Sequence, residues 1–130
     1  MHIILVDDDQ LTLFIHKKVV EKSFENAKIT CYNKPSKLIE DLQNKNIQMP
    51  NLIFSDYNMG ALNGVDVLDA VESACMNKDK SFKSDFFLVS SESDLSSIAA
   101  NLKHEVFNTF ISKPLTEEKI NLLLDSRIAS

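Results

Sequence analysis

Short apolar runs alternate with segments of helical periodicity along the whole chain. Five runs are predicted to be strands, because they are rich in β-branched, aromatic and leucine residues and are bounded by polar or turn residues. The first is apolar throughout, which is typical of a strand buried on both faces, whereas the second alternates and is expected nearer an edge. The five predicted strands are residues 3–6, 27–32, 52–54, 86–89 and 109–111.

Apolar residues at helical spacing predict one helix after each strand. Pro35 suits the first turn of the second helix, and Asp9 and Thr116 are predicted to cap the first and the last helix. Strict alternation of strands and helices predicts an α/β fold, with a five-stranded parallel sheet covered by helices on both faces. The five apolar stripes fall within residues 11–19, 38–42, 65–75, 95–102 and 120–124.

Length and charge narrow the class of protein. The chain has 130 residues, 44% of them hydrophobic, which suits one domain with a real core. A net charge of -5 disfavours a nucleic-acid partner or an anionic membrane as partner. No apolar run approaches the roughly 20 residues of a membrane helix, and the N-terminus lacks the basic start of a signal peptide. We therefore expect a cytoplasmic protein with one domain over residues 1–130 and no output domain.

The cysteines and histidines show no metal-binding spacing. Cys31 and Cys75 are predicted to be buried free thiols. The three histidines are scattered, and we expect them at the surface or at its boundary. They are His2, His16 and His104.

Polar residues whose side chains could take part in chemistry stand directly after four of the strands. Asp7, Asp8 and Asp9 follow the first strand, and Asp56 follows the third. Ser90 and Ser91 follow the fourth strand, and Lys113 with Pro114 follows the fifth. Because the carboxyl ends of parallel strands share one edge of a sheet, these groups are expected to converge.

A converged set of this composition suits phosphoryl chemistry. Carboxylates held close together repel, and a hard divalent cation such as Mg²⁺ relieves that repulsion. One carboxylate can then act as nucleophile toward a phosphoryl group. Lys113 and the Ser90 hydroxyl have the charge and the hydrogen-bonding capacity to bind its oxygens.

Five motifs in this order resemble those of response regulator receiver domains of two-component signalling, in particular chemotaxis-regulator-like single-domain members. Each motif is weak alone, but all five stand at a predicted strand end or in the turn after it. The resemblance implies a flavodoxin-like, doubly wound sheet of order 2-1-3-4-5 with five helices. The matching residues are Leu5 to Asp9, Leu52 to Met59, Gly64, Leu88 to Ser90, and Lys113 with Pro114.

The resemblance also implies roles for the site residues. Asp56 matches the phosphoacceptor and is also a metal ligand. Asp8 matches a direct ligand of Mg²⁺, Asp7 a ligand acting through water, and Asn58 the position whose backbone carbonyl binds the ion. Lys113 matches the lysine that pairs with the phosphoryl group, and its bond to the following proline is expected to be cis.

Other matched positions concern switching and the lifetime of the phosphorylated state. Ser90 matches a switch hydroxyl that turns toward the phosphoryl group, and Phe110 stands at the position of an aromatic switch residue. Asn58 and Glu92 match two positions that influence access of water, and this pair implies a short-lived phosphoryl group. Such a domain is a switch that catalyses only its own phosphorylation and dephosphorylation.

The implied partners are a sensor histidine kinase or a histidine phosphotransfer protein as donor, and a downstream protein target that the sequence does not identify. The implied output surface comprises the fourth helix, fifth strand and fifth helix. The chain departs from the family pattern at Gly60, usually proline, at Asn63, often aspartate, and in the bulky loop 105–108.

Two other functions stay open. A phosphatase resembling the haloacid dehalogenase group would need a second aspartate where this chain has Asn58. An interaction module could keep the fold without being phosphorylated. Nucleotide-binding enzymes are disfavoured, because the chain has only Gly60 and Gly64 and no glycine-rich loop after the first strand.

Overall fold

The computed structural model of the chain describes residues 1–76, 84–91, 98 and 100–129. Seven strands and four helices lie in this part of the chain. In chain order they are β1 (His2–Val6), α1 (Gln10–Ser23), β2 (Lys28–Tyr32), α2 (Pro35–Gln43), β3 (Leu52–Asp56), β4 (Asn58–Met59), β5 (Leu62–Asn63), α3 (Gly64–Met76), β6 (Asp85–Ser90), β7 (Phe107–Ser112) and α4 (Glu117–Ala129).

Five of the strands form one parallel sheet in the order β2-β1-β3-β6-β7. Since β6 and β7 are the fourth and fifth strands of this sheet along the chain, the order confirms the predicted 2-1-3-4-5. The order reverses beside β1, so the crevice for a ligand is expected beyond the carboxyl ends of β1 and β3.

Each face of the sheet carries its own apolar core, because successive side chains of a strand point to opposite faces. Ile4 and Val6 of β1 belong to the core that includes residues of α2 and α3, whereas Ile3 and Leu5 belong to the core that includes residues of α1 and α4. All residues of β1 and β3 are buried, and most of edge strand β2 is not, as predicted. The fold is therefore the expected doubly wound α/β sandwich.

The sequence pattern did not anticipate the short antiparallel hairpin of β4 and β5. It pairs Asn58 with Asn63 and Met59 with Leu62. Gly60 has a φ of +81° at the first position of the two-residue turn, where glycine is favoured because it has no Cβ. The hairpin begins at Asn58, two residues after Asp56 at the end of β3.

Several local predictions can be compared with the structure. Cys31 and Cys75 are free, but the prediction that they are buried is wrong, since Cys31 is exposed and Cys75 only half-buried. The expectation for the histidines is wrong for His2 and His16, which are buried. Four of the eight residues of the fourth predicted helix, 95–102, lie outside the described part. No helix within the described part is long and apolar enough to cross a membrane.

Candidate functional site

Three carboxylates meet at the carboxyl edge of β1 and β3. Val6 of β1 lies opposite Ser55 of β3 in the parallel register. Asp7 and Asp56 are the next residues of the two segments, so they lie at the same level of the sheet edge. Oxygen atoms from Asp7, Asp8 and Asp56 all lie within 4.8 Å of one another. Asp7 and Asp56 are buried and Asp8 is exposed, so solvent reaches the cluster from the side of Asp8. The predicted convergence of these carboxylates is confirmed.

Asp9 does not belong to this cluster but begins the first helix. Its carboxylate accepts hydrogen bonds from the Leu11 N–H at 3.0 Å and from the Thr12 hydroxyl at 3.0 Å. The Asp9 N–H itself donates to Asp7 Oδ1 at 2.9 Å. The predicted cap is confirmed, and its backbone helps to orient the Asp7 carboxylate.

Lys113 reaches the cluster from the loop after β7. Its Nζ lies 3.0 Å from Asp7 Oδ2 and 3.3 Å from Asp56 Oδ2. The Lys113 N–H donates to the Ser90 carbonyl at 2.9 Å, which joins this loop to the end of β6. The peptide bond between Lys113 and Pro114 is cis, as expected. The lysine therefore pairs with two carboxylates at once.

The electrostatics of the site make Asp56 easier to protonate than an ordinary aspartate. Burial, followed by the charge of Asp7, raises its pKa from 3.8 to about 6, although Lys113 acts in the opposite direction. Burial alone would lower the pKa of Lys113, but its hydrogen bond with Asp7 and the charge of Asp56 raise it overall. One ammonium thus compensates only part of the negative charge that the carboxylates bring together.

The donor set fits a hard divalent cation. All three clustered side chains offer carboxylate oxygens, which are the ligands that Mg²⁺ prefers, and the exposed side at Asp8 leaves room for its waters. A cation there would offset the charge of Asp7, which after burial is the second cause of the raised pKa of Asp56. Asn58 lies two residues after Asp56 in the exposed first position of β4. This is compatible with the backbone ligand that the sequence predicts.

The predicted switch residues Ser90 and Phe110 lie on the neighbouring strands β6 and β7. Asp56 pairs with Val89 across β3 and β6, so buried Ser90 is the next residue at the same edge. Phe110 lies on β7 opposite Leu88, is half-buried, and packs against the core that includes α2 and α3. The structure therefore places Ser90 at the edge that carries the cluster, and Phe110 against the core on one face of the sheet. Glu92 lies outside the described residues.

Asn63 and Asp66 form the start of α3, a structural role that the sequence analysis did not predict. The Asn63 side chain accepts from the N–H groups of Val65 and Asp66 at 2.8 and 3.2 Å, and Asp66 accepts from the Asn63 N–H at 2.8 Å. This reciprocal pair is a capping box. The sequence signal for this capping box is an asparagine followed three residues later by an acidic residue. The departure at Asn63 thus supplies the cap of α3.

Gly64 closes the same turn beneath Asp56. Its N–H donates to the Tyr57 carbonyl at 2.8 Å. A Cβ at this position would come within 2.5 Å of the Leu88 side chain and 2.7 Å of the Asp56 carbonyl oxygen. The close approach explains a glycine here and ties α3 to the end of β3.

Comparison with known proteins identifies relatives of the whole chain. The sequence matches the family model described as response regulator receiver domain over residues 3–125. A two component response regulator from Cytophaga hutchinsonii is 23% identical, with a TM-score of 0.77 and coverage of 99% of this chain and 97% of that chain. No curated protein sequence matches.

Two further solved structures share the fold at lower identity. A response regulator receiver domain protein from Clostridium thermocellum is 18% identical, with a TM-score of 0.72 and coverage of 98% of this chain and 94% of that chain. A receiver domain from Methylobacillus flagellatus is 16% identical, with a TM-score of 0.67 and coverage of 97% of each chain. At these identities the structural likeness shows the fold, and the sequence match over residues 3–125 shows the family.

Proposed function

Because the chain belongs to the response regulator receiver domain family, we propose that it accepts a phosphoryl group on Asp56 and thereby changes the proteins that it binds. The observation that carries this proposal is the buried Asp56 carboxylate, held beside Asp7 and Asp8 and 3.3 Å from the Lys113 ammonium. The proposed donor is the phosphohistidine of a sensor histidine kinase or of a histidine phosphotransfer protein.

In the proposed reaction an Asp56 carboxylate oxygen attacks the phosphorus of the donor. The new O–P bond forms as the P–N bond of the phosphohistidine breaks, and the departing imidazole nitrogen takes up a proton from water. Attack requires the ionised carboxylate, and a pKa of about 6 leaves Asp56 mostly ionised at neutral pH. A low pH should therefore slow the reaction.

The residues around Asp56 would stabilise the transferred group. Lys113 already contacts both Asp7 and Asp56, so we expect its ammonium to keep Asp7 and exchange Asp56 for a phosphoryl oxygen. Asp7, Asp8 and Asp56, with the backbone carbonyl of Asn58, would hold Mg²⁺, which when bound supplies positive charge to the phosphoryl oxygens. These residues act on the chain's own phosphorylation, so the protein is proposed to be a switch and not a turnover enzyme.

The proposed switching signal starts from the charge added at Asp56. Ser90 is buried at the end of the neighbouring strand, and its carbonyl accepts the Lys113 N–H at 2.9 Å, so the two loops that face the phosphoryl group are already joined. Movement of Ser90 toward the new charge would be accompanied by Phe110, which is half-buried on the neighbouring strand β7 opposite Leu88. Phosphorylation would then shift the population toward a form that binds a different protein partner.

The surface beside the site supports a protein as the donor. Leu11, Phe14 and Ile15 are 68%, 57% and 48% exposed, and they lie in the first turns of α1, immediately after the acidic cluster. They are three of the six large apolar side chains that are exposed within the described part of the chain. An apolar patch next to a reactive site is typical of a protein docking surface.

Intact mass after incubation with acetyl phosphate tests the proposal. Wild type should gain one phosphoryl group only when Mg²⁺ is present, and Asp56→Asn should gain none. The beryllofluoride complex should be measured in parallel, because a short-lived phosphoryl group can escape detection. If neither species forms, the interaction module becomes the better hypothesis, and steady release of phosphate from an aryl phosphate would instead favour the phosphatase.

Substitutions on α1 test the choice of donor. Phe14→Ser should slow transfer from a phosphorylated histidine protein and leave the reaction with acetyl phosphate unchanged. Leu122→Ser is the matched control, since Leu122 is equally exposed on α4 at 62%. Equal effects of the two variants would contradict docking on α1.

A further inference from the structure

The loop that carries Lys113 is held by a second lysine on the helix that follows. Lys119 Nζ donates to the Ser112 carbonyl at 2.8 Å and to the Pro114 carbonyl at 2.9 Å. These two carbonyls stand on either side of Lys113 in the chain. The Lys119 ammonium therefore bridges the two backbone carbonyls that flank Lys113, whose side chain reaches the carboxylate cluster.

Lys119 occupies a position where a cation is otherwise unfavourable. It is the third residue of α4, and its N–H donates to the capping Thr116 hydroxyl at 3.2 Å, which confirms the predicted cap. Positive charge in the first turn of a helix opposes the helix dipole, whereas the acids Glu117 and Glu118 match it. The two carbonyls of the loop compensate for this, so the contact gives a physical reason for a lysine at this place.

Two backbone N–H groups of the loop are also bound. The Lys113 N–H donates to the Ser90 carbonyl at 2.9 Å, and the Leu115 N–H donates to Nε2 of buried His16 at 3.4 Å. The loop is thus attached to β6, α1 and α4. Of these contacts, only the Lys119 contact brings a full charge to the loop backbone, and charge-assisted hydrogen bonds are the stronger kind.

We propose that Lys119 is a positioning residue for Lys113 and thereby sets the rate at which Asp56 accepts a phosphoryl group. This inference rests on the proposed function. The Lys113 ammonium already lies 3.3 Å from Asp56, so a displacement of the loop by about 1 Å would remove the hydrogen bond. Without Lys119, the carbonyls of Ser112 and Pro114 lose their shared donor, and the loop can relax away from the cluster.

The test uses Lys119→Met and Lys119→Arg in the full chain. Lys119→Met should lower the initial rate of Mg²⁺-dependent phosphorylation by acetyl phosphate about tenfold and weaken beryllofluoride binding. Lys119→Arg keeps a donor that can reach both carbonyls and should restore most of the rate. Lys22→Met is the matched control, since Lys22 is an exposed lysine in the last turn of α1, at the end opposite the Asp9 cap.

A double-mutant cycle separates positioning from general stabilisation. In a Lys113→Met background, Lys119→Met should have no further effect on the rate, because the side chain that it positions is gone. The proposal is overturned if Lys119→Met reacts like wild type, if it slows the Lys113→Met protein as strongly as wild type, or if Lys119→Arg is as slow as Lys119→Met.

A second readout distinguishes failure of this inference from failure of the proposed function. Proton exchange of the Lys113 ammonium, followed by NMR in the metal-free protein, should be slow in wild type because the group is paired with Asp7 and Asp56. It should become faster in Lys119→Met. If wild type forms no adduct, the proposed function fails, and this exchange rate alone decides whether Lys119 positions Lys113, with unchanged exchange refuting it.

Discussion

Removing the charge of Asp56 should stabilise the metal-free protein. The carboxylate is buried beside Asp7, and its pKa is raised from 3.8 to about 6. A shift of this size means that the ionised form is disfavoured in the folded state by about 3 kcal/mol relative to the unfolded chain. Asp56→Asn keeps the shape of the side chain and loses the charge, so the free energy of unfolding near pH 7 should rise by about 1–3 kcal/mol.

The sign of the pH dependence follows from the direction of the shift. The folded-state pKa of Asp56 lies above the unfolded-state value, so the folded protein binds the proton more tightly. This contributes stability to wild type below about pH 4, and the contribution is lost as the pH rises through about 6. The advantage of Asp56→Asn should therefore be near zero at about pH 4, grow up to about pH 6, and stay constant above it.

Urea unfolding with a chelator, at low salt and over this pH range, measures the effect. Asp9→Asn is the control, because hydrogen bonds from the Thr12 hydroxyl and the Leu11 N–H lower the pKa of that exposed carboxyl. The charge of Asp9 is therefore stabilising above its unfolded-state pKa, and its removal should give no gain. A variant Asp56→Asn that is no more stable than wild type near pH 8, or whose gain does not change with pH, would refute the reasoning.

Three further predictions concern the proposed metal site and the turn after Asp56. Asp8→Asn should abolish the rise in Tm that Mg²⁺ causes in wild type, and a rise that persists would place the cation elsewhere. Gly64→Ala should destabilise the fold by about 1–3 kcal/mol in urea unfolding, because its Cβ would lie 2.7 Å from the Asp56 carbonyl oxygen. Gly60→Ala, which meets open space at a φ of +81°, should cost only about 1–2 kcal/mol, and the reverse order would contradict the close packing. Asn63→Ala should lower the free energy of unfolding by about 1 kcal/mol and Asn63→Asp much less, since only the alanine removes the cap.

The convergence of the carboxylates and Lys113 could be predicted from the sequence because these residues stand at strand ends. Once the apolar runs predict parallel strands, Asp7, Asp8, Asp56 and Lys113 must share one edge, whatever the exact packing of the helices. The caps at Asp9 and Thr116 were also predictable, because a cap depends on residues only a few positions apart. The local spacing of residues was thus enough to predict the fold class and which residues share the sheet edge.

Contacts between distant segments were not predictable in this way. The burial of His16 depends on how α1 packs against the loop at Leu115, about a hundred residues away in the chain. In the sequence, Gly60 is only a departure from a family pattern. The hairpin around it pairs Met59 with Leu62 and buries Met59 in the core, which the local pattern does not indicate. Side-chain burial of this kind depends on packing in three dimensions.

The sequence by itself determined that carboxylates and a lysine would meet at the end of a parallel sheet, because periodicity and strand ends are local properties of the chain. Only the tertiary structure decided how strongly these groups interact. The raised pKa of Asp56 follows from its burial and from the nearby charge of Asp7, which the Lys113 ammonium at 3.3 Å offsets only in part. The hold of Lys119 on the carbonyls around Lys113 depends on where α4 begins relative to β7. Desolvation and hydrogen bonding change steeply over a few ångström, and such distances exist only in the folded chain.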